Sequence, residues 1–291
     1  MAAWLANWLV AEGLRPGLLS RGYRSLQESG SVSVATAESS QGNDEKRVLD
    51  RLCPGVPHLQ QRDRVTSARR LCDESGCNVL ILDDGFQHRR LSRDLDLVLV
   101  DALQPWGYGH LLPRGLLREP LSGLRRADLI VVTRANQCSE ESRAELRRDL
   151  AKYCGRVGCV EVAFVPDRLV GPDGTTAPVS LVHGLKSLSF CGIGNPEGFR
   201  QTLASLGARG PLRVFPDHFH YQAAELDELA RQATSEGAEV TLTTLKDLVK
   251  IPAGAWSGPP LHAVGIGVEF LEGKDLLVRR IRETLENRRP V

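Results

Sequence analysis

The sequence predicts an α/β protein built on a doubly wound parallel sheet, and two observations support this prediction. Short apolar stretches bounded by acids or glycine, such as residues 79–82, are typical of buried parallel strands. Polar side chains follow such stretches directly, as the two acids do in Asp83-Asp84-Gly85-Phe86-Gln87-His88. Because parallel sheets carry their chemistry at the carboxyl ends of the strands, we expect the functional residues along one edge.

Composition indicates a globular protein with a mixed surface. The 291 residues suffice for one large domain or two ordinary ones, and 37 basic residues balance 36 acidic ones. This balance gives no general attraction to nucleic acid. Seven cysteines without a CxxC pair argue against a disulfide framework and a structural zinc site. No apolar run reaches the roughly 18 residues of a membrane span and no signal peptide is recognisable, so we expect no transmembrane segment.

The first half of the chain predicts alternating helices and strands. Apolar residues at helical spacing predict a helix over residues 2–11. A short strand from Pro16 leads to Ser20 and Arg21, and a second strand at Val32–Thr36 precedes a helix that ends near Leu52. Further strands are predicted at residues 79–82, 95–101 and 128–132, followed by a helix at residues 139–153.

The second half predicts a change of pattern and then renewed alternation. From residue 157 to about 188, prolines and glycines separate short β-prone pieces, which predicts a β-rich connector. Beyond it, strands are expected at 188–191, 212–215, 240–243 and 262–268, and helices at 223–236 and 274–289. The predicted organisation is an α/β domain over residues 1–156, the connector over 157–188 and a smaller α/β domain over 189–291.

The residues that could carry chemistry each allow a purely structural interpretation. Asp83 and Asp84 could form a tight turn, or hold Mg²⁺ against a phosphate at the end of a strand. Asp44 at a helix start is compatible with an N-cap and with a catalytic base. His218, next to Asp217 at another helix start, is compatible with a cap and with catalysis. Spacing alone leaves these alternatives open.

The candidates share a place, since each follows a predicted strand or begins a helix. They are Arg21, Asp44, Asp83, Asp84, Gln87, His88, Arg118, Glu119, Asp217 and His218. Carboxylates, a histidine and several arginines without a nucleophilic serine elbow suit phosphoryl transfer better than acyl transfer. A metal phosphoesterase built on Asp-His-His is an alternative, although Phe219 interrupts that triplet.

Five motifs, in this order and over nearly the whole chain, resemble those of the tetraacyldisaccharide 4'-kinase family. This family phosphorylates the 4'-hydroxyl of a disaccharide lipid in the lipid A pathway. The motifs are Ser20-Arg21-Gly22-Tyr23, Asp83-Asp84-Gly85-Phe86-Gln87-His88, Leu112-Pro113-Arg114-Gly115-Leu116-Leu117-Arg118-Glu119-Pro120, Gly192-Ile193-Gly194-Asn195-Pro196 and Phe215-Pro216-Asp217-His218.

The resemblance implies a P-loop-kinase-like parallel-sheet domain and a smaller α/β C-terminal domain, joined by a β-ribbon. It implies ATP and Mg²⁺ as cofactors and a glycolipid as the substrate. We also expect a monomer that binds peripherally to the cytoplasmic face of the inner membrane of a Gram-negative-type bacterium.

The resemblance also assigns roles to individual residues. Asp44 resembles the catalytic acid of the family's Gly-Asp-Glu-Pro segment, and His218 resembles its partner in the Asp-His motif. The expected magnesium ligands are Asp83, Asp84 and Glu119, and the expected ATP contacts are Arg21, Gln87 and Arg118.

Three departures from the family pattern stand out. The sequence contains no G-x-x-x-x-G-K-[ST], the Walker A loop that precedes the first helix in the family, and it lacks the family's membrane-associating N-terminal helix. We expect a start assigned too late, with a non-catalytic glycolipid- or nucleotide-binding remnant as the alternative. Asn43-Asp44-Glu45-Lys46 replaces Gly-Asp-Glu-Pro. Leu245 stands where a glutamate is expected in Thr243-Thr244-Leu245-Lys246-Asp247, which weakens any role for that segment.

Overall fold

The computed structural model describes residues 1–21, 43–155 and 157–287. In chain order its helices and strands are α1 (Ala2–Ala11), β1 (Pro16–Ser20), α2 (Asp44–Leu52), β2 (His58–Gln60), α3 (Arg64–Ser75), β3 (Val79–Leu82), β4 (Leu97–Asp101), β5 (Leu129–Thr133), α4 (Glu140–Cys154), β6 (Gly158–Val170), β7 (Thr176–Ala177), β8 (Ser187–Cys191), α5 (Pro196–Ser205), β9 (Leu212–Val214), α6 (Ala223–Ser235), β10 (Val240–Thr244), α7 (Leu245–Leu248), β11 (Leu261–Glu272) and α8 (Lys274–Glu286). The strand predicted at Val32–Thr36 lies outside the described residues.

The chain forms two compact units, and neither is continuous in sequence. Unit 1 combines Met1–Gly85 with Pro166–Gly267, and unit 2 combines Phe86–Val165 with Val268–Val291. Strands β6 and β11 therefore each contribute residues to both units. The sequence-based division at residues 156 and 188 stays a prediction.

Unit 1 contains a small parallel sheet in the order β2-β1-β3. Its central strand is completely buried, with helices α1 and α3 packed against it. Leu18 and Leu19 have no exposed surface, and a Cβ at Gly17 would come within 2.9 Å of the Cys77 sulfur. Close packing of helix on sheet thus fixes the strand whose carboxyl end is Ser20.

A second parallel sheet in unit 1 has the strand order β9-β8-β10-β11. Successive residues of β8 enter different apolar clusters: Phe190 packs with Leu226 and Leu229 of α6, whereas Cys191 packs with Phe199 of α5. Because side chains alternate along a strand, these clusters lie on opposite faces of the sheet. Helices therefore cover both faces, as a doubly wound fold requires.

Helix α2 packs onto the first of these clusters, the one formed by β8 and α6. Its partly buried residues Val48 and Leu52 lie against that cluster, and α2 also contacts α7. Helix α2 therefore packs against the second sheet, although the strand that follows it in the chain, β2, belongs to the first sheet.

Unit 2 contains the parallel strands β4-β5-β6. Every residue of β5 is buried, and Leu146 and Leu150 of α4 pack in the same cluster as Ile130 and Val132. The buried carboxylate of Glu161 is paired with Arg143 and Arg147. Because a buried carboxylate is unfavourable without a partner, these arginines fasten α4 to β6.

These observations confirm the predicted α/β class with predominantly parallel sheets. Strand β2 and helix α3 have no counterpart in the sequence-based prediction, because β2 is only three residues long and α3 is mostly polar. The predicted connector contains the long strand Gly158–Val170 and the short strand Thr176–Ala177, which pair antiparallel. Among the helices that the structure describes, none has both the length and the apolar character needed to cross a bilayer.

Candidate active site

The carboxyl ends of the first sheet bring three polar residues side by side. Ser20 pairs in register with Gln60 of β2, and Leu19 pairs with Leu82 of β3 and accepts a hydrogen bond from the amide of Asp83 at 2.8 Å. Arg21 follows directly and is exposed. One sheet edge therefore presents Gln60, Ser20 and Asp83 in that order.

Asp83 and Asp84 form a turn that also concentrates negative charge. Asp84 adopts a left-handed conformation with φ of 51°, which non-glycine residues rarely do. Burial raises the pKa of Asp83, and the charge of Asp84 raises it further. The turn and the functional interpretation are therefore compatible, because the backbone turns at Asp84 while a positive charge beside Asp83 would favour its ionised form.

Arg64 supplies part of that positive charge. This residue, the first of α3, is only 3% exposed, and its guanidinium donates to the backbone carbonyl oxygen of Asp84 at 3.0 Å. Burial lowers the pKa of Arg64, while both acids act to raise it. The sequence analysis did not identify Arg64 as a site residue. Its neighbours Arg62 and Asp63 form no recognisable motif, and its contact with Asp84 joins residues 20 positions apart.

The start of α2 is capped by Asn43, so Asp44 is available for another role. The Asn43 side chain accepts from the amide of Lys46 at 3.0 Å. Gln60 holds Asn43 from the neighbouring strand: its amide nitrogen donates to the Asn43 side chain at 2.8 Å, and its oxygen accepts from the Asn43 backbone at 3.2 Å. The sheet edge thereby fixes the position at which Asp44 enters the helix.

His218 lies in the loop between β9 and α6, and several contacts fix this loop. Its amide donates to the carbonyl oxygen of Gly192 at 3.2 Å, and its φ of 61° is left-handed. On either side, the rings of Phe215 and Phe219 pack in a tilted arrangement with centroids 4.7 Å apart, and both pack edge-on against Tyr221. The N-cap of α6 is Gln222, so His218 is not the cap of that helix.

The structure brings Asp44 and His218 together. Imidazole Nδ1 lies 3.2 Å from Asp44 Oδ2. Because a carboxylate can only accept, Nδ1 carries the hydrogen of this bond. Nε2 of the same ring then faces the ammonium of Lys246 at 3.5 Å. A carboxylate oriented by an imidazole is the arrangement used to take a proton from a hydroxyl group.

A buried lysine lies behind this pair. The ammonium of Lys250 is 3.8 Å from Asp44 Oδ2 and 3.0 Å from Asp247 Oδ1, and its side chain is 1% exposed. Asp247 has no exposed surface, and its carboxylate also accepts from the Gly192 amide at 3.1 Å and the Tyr221 hydroxyl at 3.1 Å. Burial raises the pKa of Tyr221, and the charge of Asp247 raises it further. The positive charge next to Asp44 is thus held by a rigid, buried network.

Lys246 connects the same segment to the His218 loop. Its ammonium donates to Asp217 Oδ1 at 3.1 Å. Burial acts to raise the pKa of Asp217, but the bond and charge of Lys246 outweigh it and lower that pKa. The segment after β10, whose role the unexpected Leu245 seemed to weaken, therefore contributes Lys246, Asp247 and Lys250. Leu245 itself is a buried core residue, and its polar neighbours make the contacts. The leucine at this position therefore does not remove the segment from the surroundings of Asp44 and His218.

Unit 2 contains a second group of predicted site residues. The side-chain amide of Gln87 donates to Glu119 at 2.9 Å, and Arg126 donates to both oxygens of that carboxylate at 2.9 Å. The Arg126 guanidinium also lies 4.3 Å from the centre of the Phe86 ring. Arg118, next to Glu119, is exposed. This hydrogen bond brings together Gln87 and Glu119, which are 32 residues apart in the chain. Their roles in ATP and magnesium binding stay a prediction.

The described residues contain no group of three or more His, Cys, Asp or Glu side chains arranged to hold a metal ion. A paired-carboxylate site is compatible with this finding, because Mg²⁺ commonly takes one or two protein carboxylates and completes its shell with phosphate oxygens and water.

Parallel sheets with acids and cations at the strand ends, and a carboxylate–imidazole contact nearby, are the architecture of nucleotide-dependent transferases. Comparison with known proteins places the chain within this class. The family model described as tetraacyldisaccharide-1-P 4'-kinase, LpxK, matches residues 1–286. The chain belongs to this family, which confirms the resemblance, and it is accordingly a kinase by family.

Individual relatives agree with the family match. The tetraacyldisaccharide 4'-kinase of Anaeromyxobacter dehalogenans strain 2CP-C is 39% identical over 281 residues, which cover 94% of this chain and 74% of the relative. The enzyme of the same name from Syntrophus aciditrophicus strain SB is 38% identical over 274 residues, covering 86% of this chain and 71% of the relative. A crystal structure of LpxK from Aquifex aeolicus in complex with ATP superposes with a TM-score of 0.74 at 26% identity, covering 97% of this chain and 83% of that one.

Proposed function

We propose that this protein transfers the γ-phosphoryl group of ATP to the 4'-hydroxyl of a tetraacyldisaccharide 1-phosphate. The observation that carries the proposal is the contact between Asp44 and His218, a base and its orienting group held in a fixed geometry. Family membership supplies the class of reaction, and the names of the relatives supply the substrate.

In the proposed reaction the 4'-oxygen attacks the γ-phosphorus in line with the leaving oxygen of ADP. Asp44 accepts the proton that the 4'-hydroxyl loses. His218 and Lys250 both approach Oδ2, so we assign the proton transfer to Oδ1. His218 keeps the carboxylate oriented, and Lys250 keeps a positive charge beside it while the hydroxyl approaches.

The remaining predicted residues would hold the nucleotide and its cation. Asp83 and Asp84 fit a divalent cation, because burial and the neighbouring charge of Asp84 raise the pKa of Asp83 and so disfavour its negative charge in the absence of a cation. In unit 2, Arg126 and Gln87 hold the carboxylate of Glu119, for which the family resemblance implies a role as a magnesium ligand. Bound Mg²⁺ would neutralise charge on the transferring phosphoryl group. Arg21, Gln87 and Arg118 would contact the phosphates, and Arg64 would balance the two aspartates.

The proposal extends to organisation and location. The kinase-like domain would comprise residues 1–156, the connector residues 157–188 and the smaller C-terminal domain residues 189–291. Because the substrate is a lipid, we place the protein at the membrane surface. We propose that it acts there as a monomer. This surface would be the cytoplasmic face of the inner membrane of a Gram-negative-type bacterium.

The test is transfer of radiolabelled phosphate from ATP to the purified disaccharide lipid by the full chain. We expect a product with one additional phosphate at the 4'-position, formed only when Mg²⁺ is present. Calorimetry with ATP and Mg²⁺ on the same sample separates the alternatives. ATP binding without transfer contradicts the proposed reaction, and an absence of both indicates a non-catalytic remnant of the family.

A further inference from the structure

Four buried polar side chains connect helix α2 to the first sheet of unit 1. Lys46 Nζ lies 2.6 Å from Asp50 Oδ2, and Asp50 Oδ1 lies 2.7 Å from His58 Nδ1. On the other side of the ring, His58 Nε2 is 2.9 Å from the Ser20 hydroxyl. None of the four residues is more than 7% exposed. The chain of contacts runs from α2 through β2 to the carboxyl end of β1.

The contacts begin two residues beyond the proposed base. Asp44 is the first residue of α2, Lys46 lies in the same turn, and Asp50 lies one turn further along. Gln60 holds Asn43 on the other side of Asp44. The helix start is therefore connected to the sheet both before and after Asp44, and both connections reach β2.

The charges of this group are retained in the interior. Burial acts to raise the pKa of Asp50, but the bonds and charges of His58 and Lys46 outweigh it and lower that pKa. A buried ion pair generally stabilises a fold no more than apolar side chains of the same size would. Its advantage is directional: hydrogen bonds between charged groups fix an orientation that apolar packing leaves adjustable.

We propose that Lys46, Asp50, His58 and Ser20 form a positioning network that holds α2 so that the Asp44 carboxylate meets His218. The inference rests on the proposed function only in assigning Asp44 as the base. The order Ser20–His58–Asp50 matches that of a nucleophilic triad, but Lys46 occupies the second carboxylate oxygen and burial leaves no room for an electrophile at Ser20. The network positions Asp44; it does not touch substrate.

The decisive experiment separates positioning from stability. Lys46→Met leaves Asp50 buried without its cation, and we expect a lower Tm. In Lys46→Met/Asp50→Leu both charges are gone, and we expect a Tm above that of Lys46→Met but below that of the wild type, because buried His58 loses its acceptor. If the network positions Asp44, kcat of the double variant stays at least tenfold below wild type while KM for ATP is unchanged. A double variant with kcat within twofold of wild type overturns the proposal.

A second readout does not depend on turnover. The imidazole ¹⁵N–¹H resonances of His218, identified by their absence in His218→Gln, report its hydrogen bond to Asp44. We expect them to shift in the double variant and to stay in place in Lys152→Met, which breaks the exposed pair of Lys152 with Asp149 at 2.7 Å. Unchanged His218 resonances in the double variant would contradict the positioning proposal, whether or not any sample transfers phosphate. A failure of every sample to transfer phosphate would contradict the proposed function instead.

Asp50→Asn provides the same test should the double variant not fold. The amide keeps the shape of the side chain and removes its charge. We expect shifted His218 resonances and a reduced kcat, and wild-type values for both would overturn the proposal.

Discussion

Nδ1 of His218 lies 3.2 Å from Oδ2 of Asp44, although 174 residues separate them in the chain. The two residues belong to elements next to different sheets of unit 1. Asp44 is the first residue of α2, which precedes β2 of the first sheet, and His218 lies in a left-handed turn after β9 of the second sheet. Helix α2 joins the two sheets, because it packs on the cluster of β8 and α6 while Gln60 and His58 tie it to β2. The proposed catalytic pair therefore depends on how α2 is held.

The first prediction concerns the proposed base. Asp44→Asn should lower kcat by roughly 10²–10⁴-fold with little change in KM, because general-base catalysis typically contributes that much. Steady-state kinetics of phosphate transfer measure the effect. Asp73→Asn, at an exposed position on α3, is the matched control and should behave as wild type. An Asp44→Asn enzyme with wild-type turnover would show that another group takes the proton.

A smaller effect is expected at the orienting histidine. His218→Gln should reduce kcat by about ten- to a hundredfold, since a misplacement of about 1 Å costs up to that factor. His220→Gln changes an exposed histidine two residues away and provides the control. Equal losses in both variants would indicate that the loop, rather than the contact of His218 with Asp44, is responsible.

Asp83 allows a test of cation binding without turnover. Burial and the neighbouring Asp84 disfavour its charge, so a divalent cation should stabilise the folded protein. We expect Mg²⁺ to raise the Tm of the wild type and to have little effect on Asp83→Asn. Differential scanning calorimetry with and without Mg²⁺ measures this, with Asp73→Asn as the control. An equal rise in Asp83→Asn would place the cation elsewhere.

The buried Asp247 should matter chiefly for stability. Asp247→Ala removes the nearer of the two carboxylates beside buried Lys250, which keeps only Asp44 at 3.8 Å, and it removes the acceptor of Tyr221 and Gly192. We therefore expect a loss of about 3–5 kcal/mol. Urea unfolding measures the change. Asp227→Ala, on the exposed side of α6, should cost almost nothing. If Asp247→Ala were equally mild, the network behind Asp44 would not be under the electrostatic constraint that its burial indicates.

A pH dependence is expected from His262 on β11. Burial lowers the pKa of His262 from its ordinary value, although the charge of Asp173 acts to raise it. Nδ1 of the same ring has no hydrogen-bond partner within the described chain. The unfolded chain therefore binds the proton more readily, so the free energy of unfolding should fall as the pH drops below about 6.5. His262→Leu should lose less stability than wild type between pH 7 and pH 5 in urea titrations.

The control for this effect is His220→Leu, which changes an exposed histidine and should keep the wild-type pH dependence. A His262→Leu protein that loses stability with acid as steeply as the wild type would assign the effect to another group.

Local patterns determined much of this protein. Apolar runs ending in acids predicted the parallel strands, and Asp83-Asp84 was recognised because both acids directly follow β3. Five motifs in order identified the family. Periodicity did not predict β2 or α3, since a three-residue strand and a mostly polar helix give weak periodic signals.

The sequence by itself determined the α/β class, the family and the residue types at the strand ends, because these depend on neighbours within a few positions. Only the tertiary structure decided that Asn43, not Asp44, caps α2, that His218 meets Asp44, and that Arg64 and Lys250 lie next to the proposed acids. Each of these contacts except the cap joins elements distant in sequence. Their geometry follows from packing on shared clusters and from buried hydrogen bonds, which no local pattern encodes.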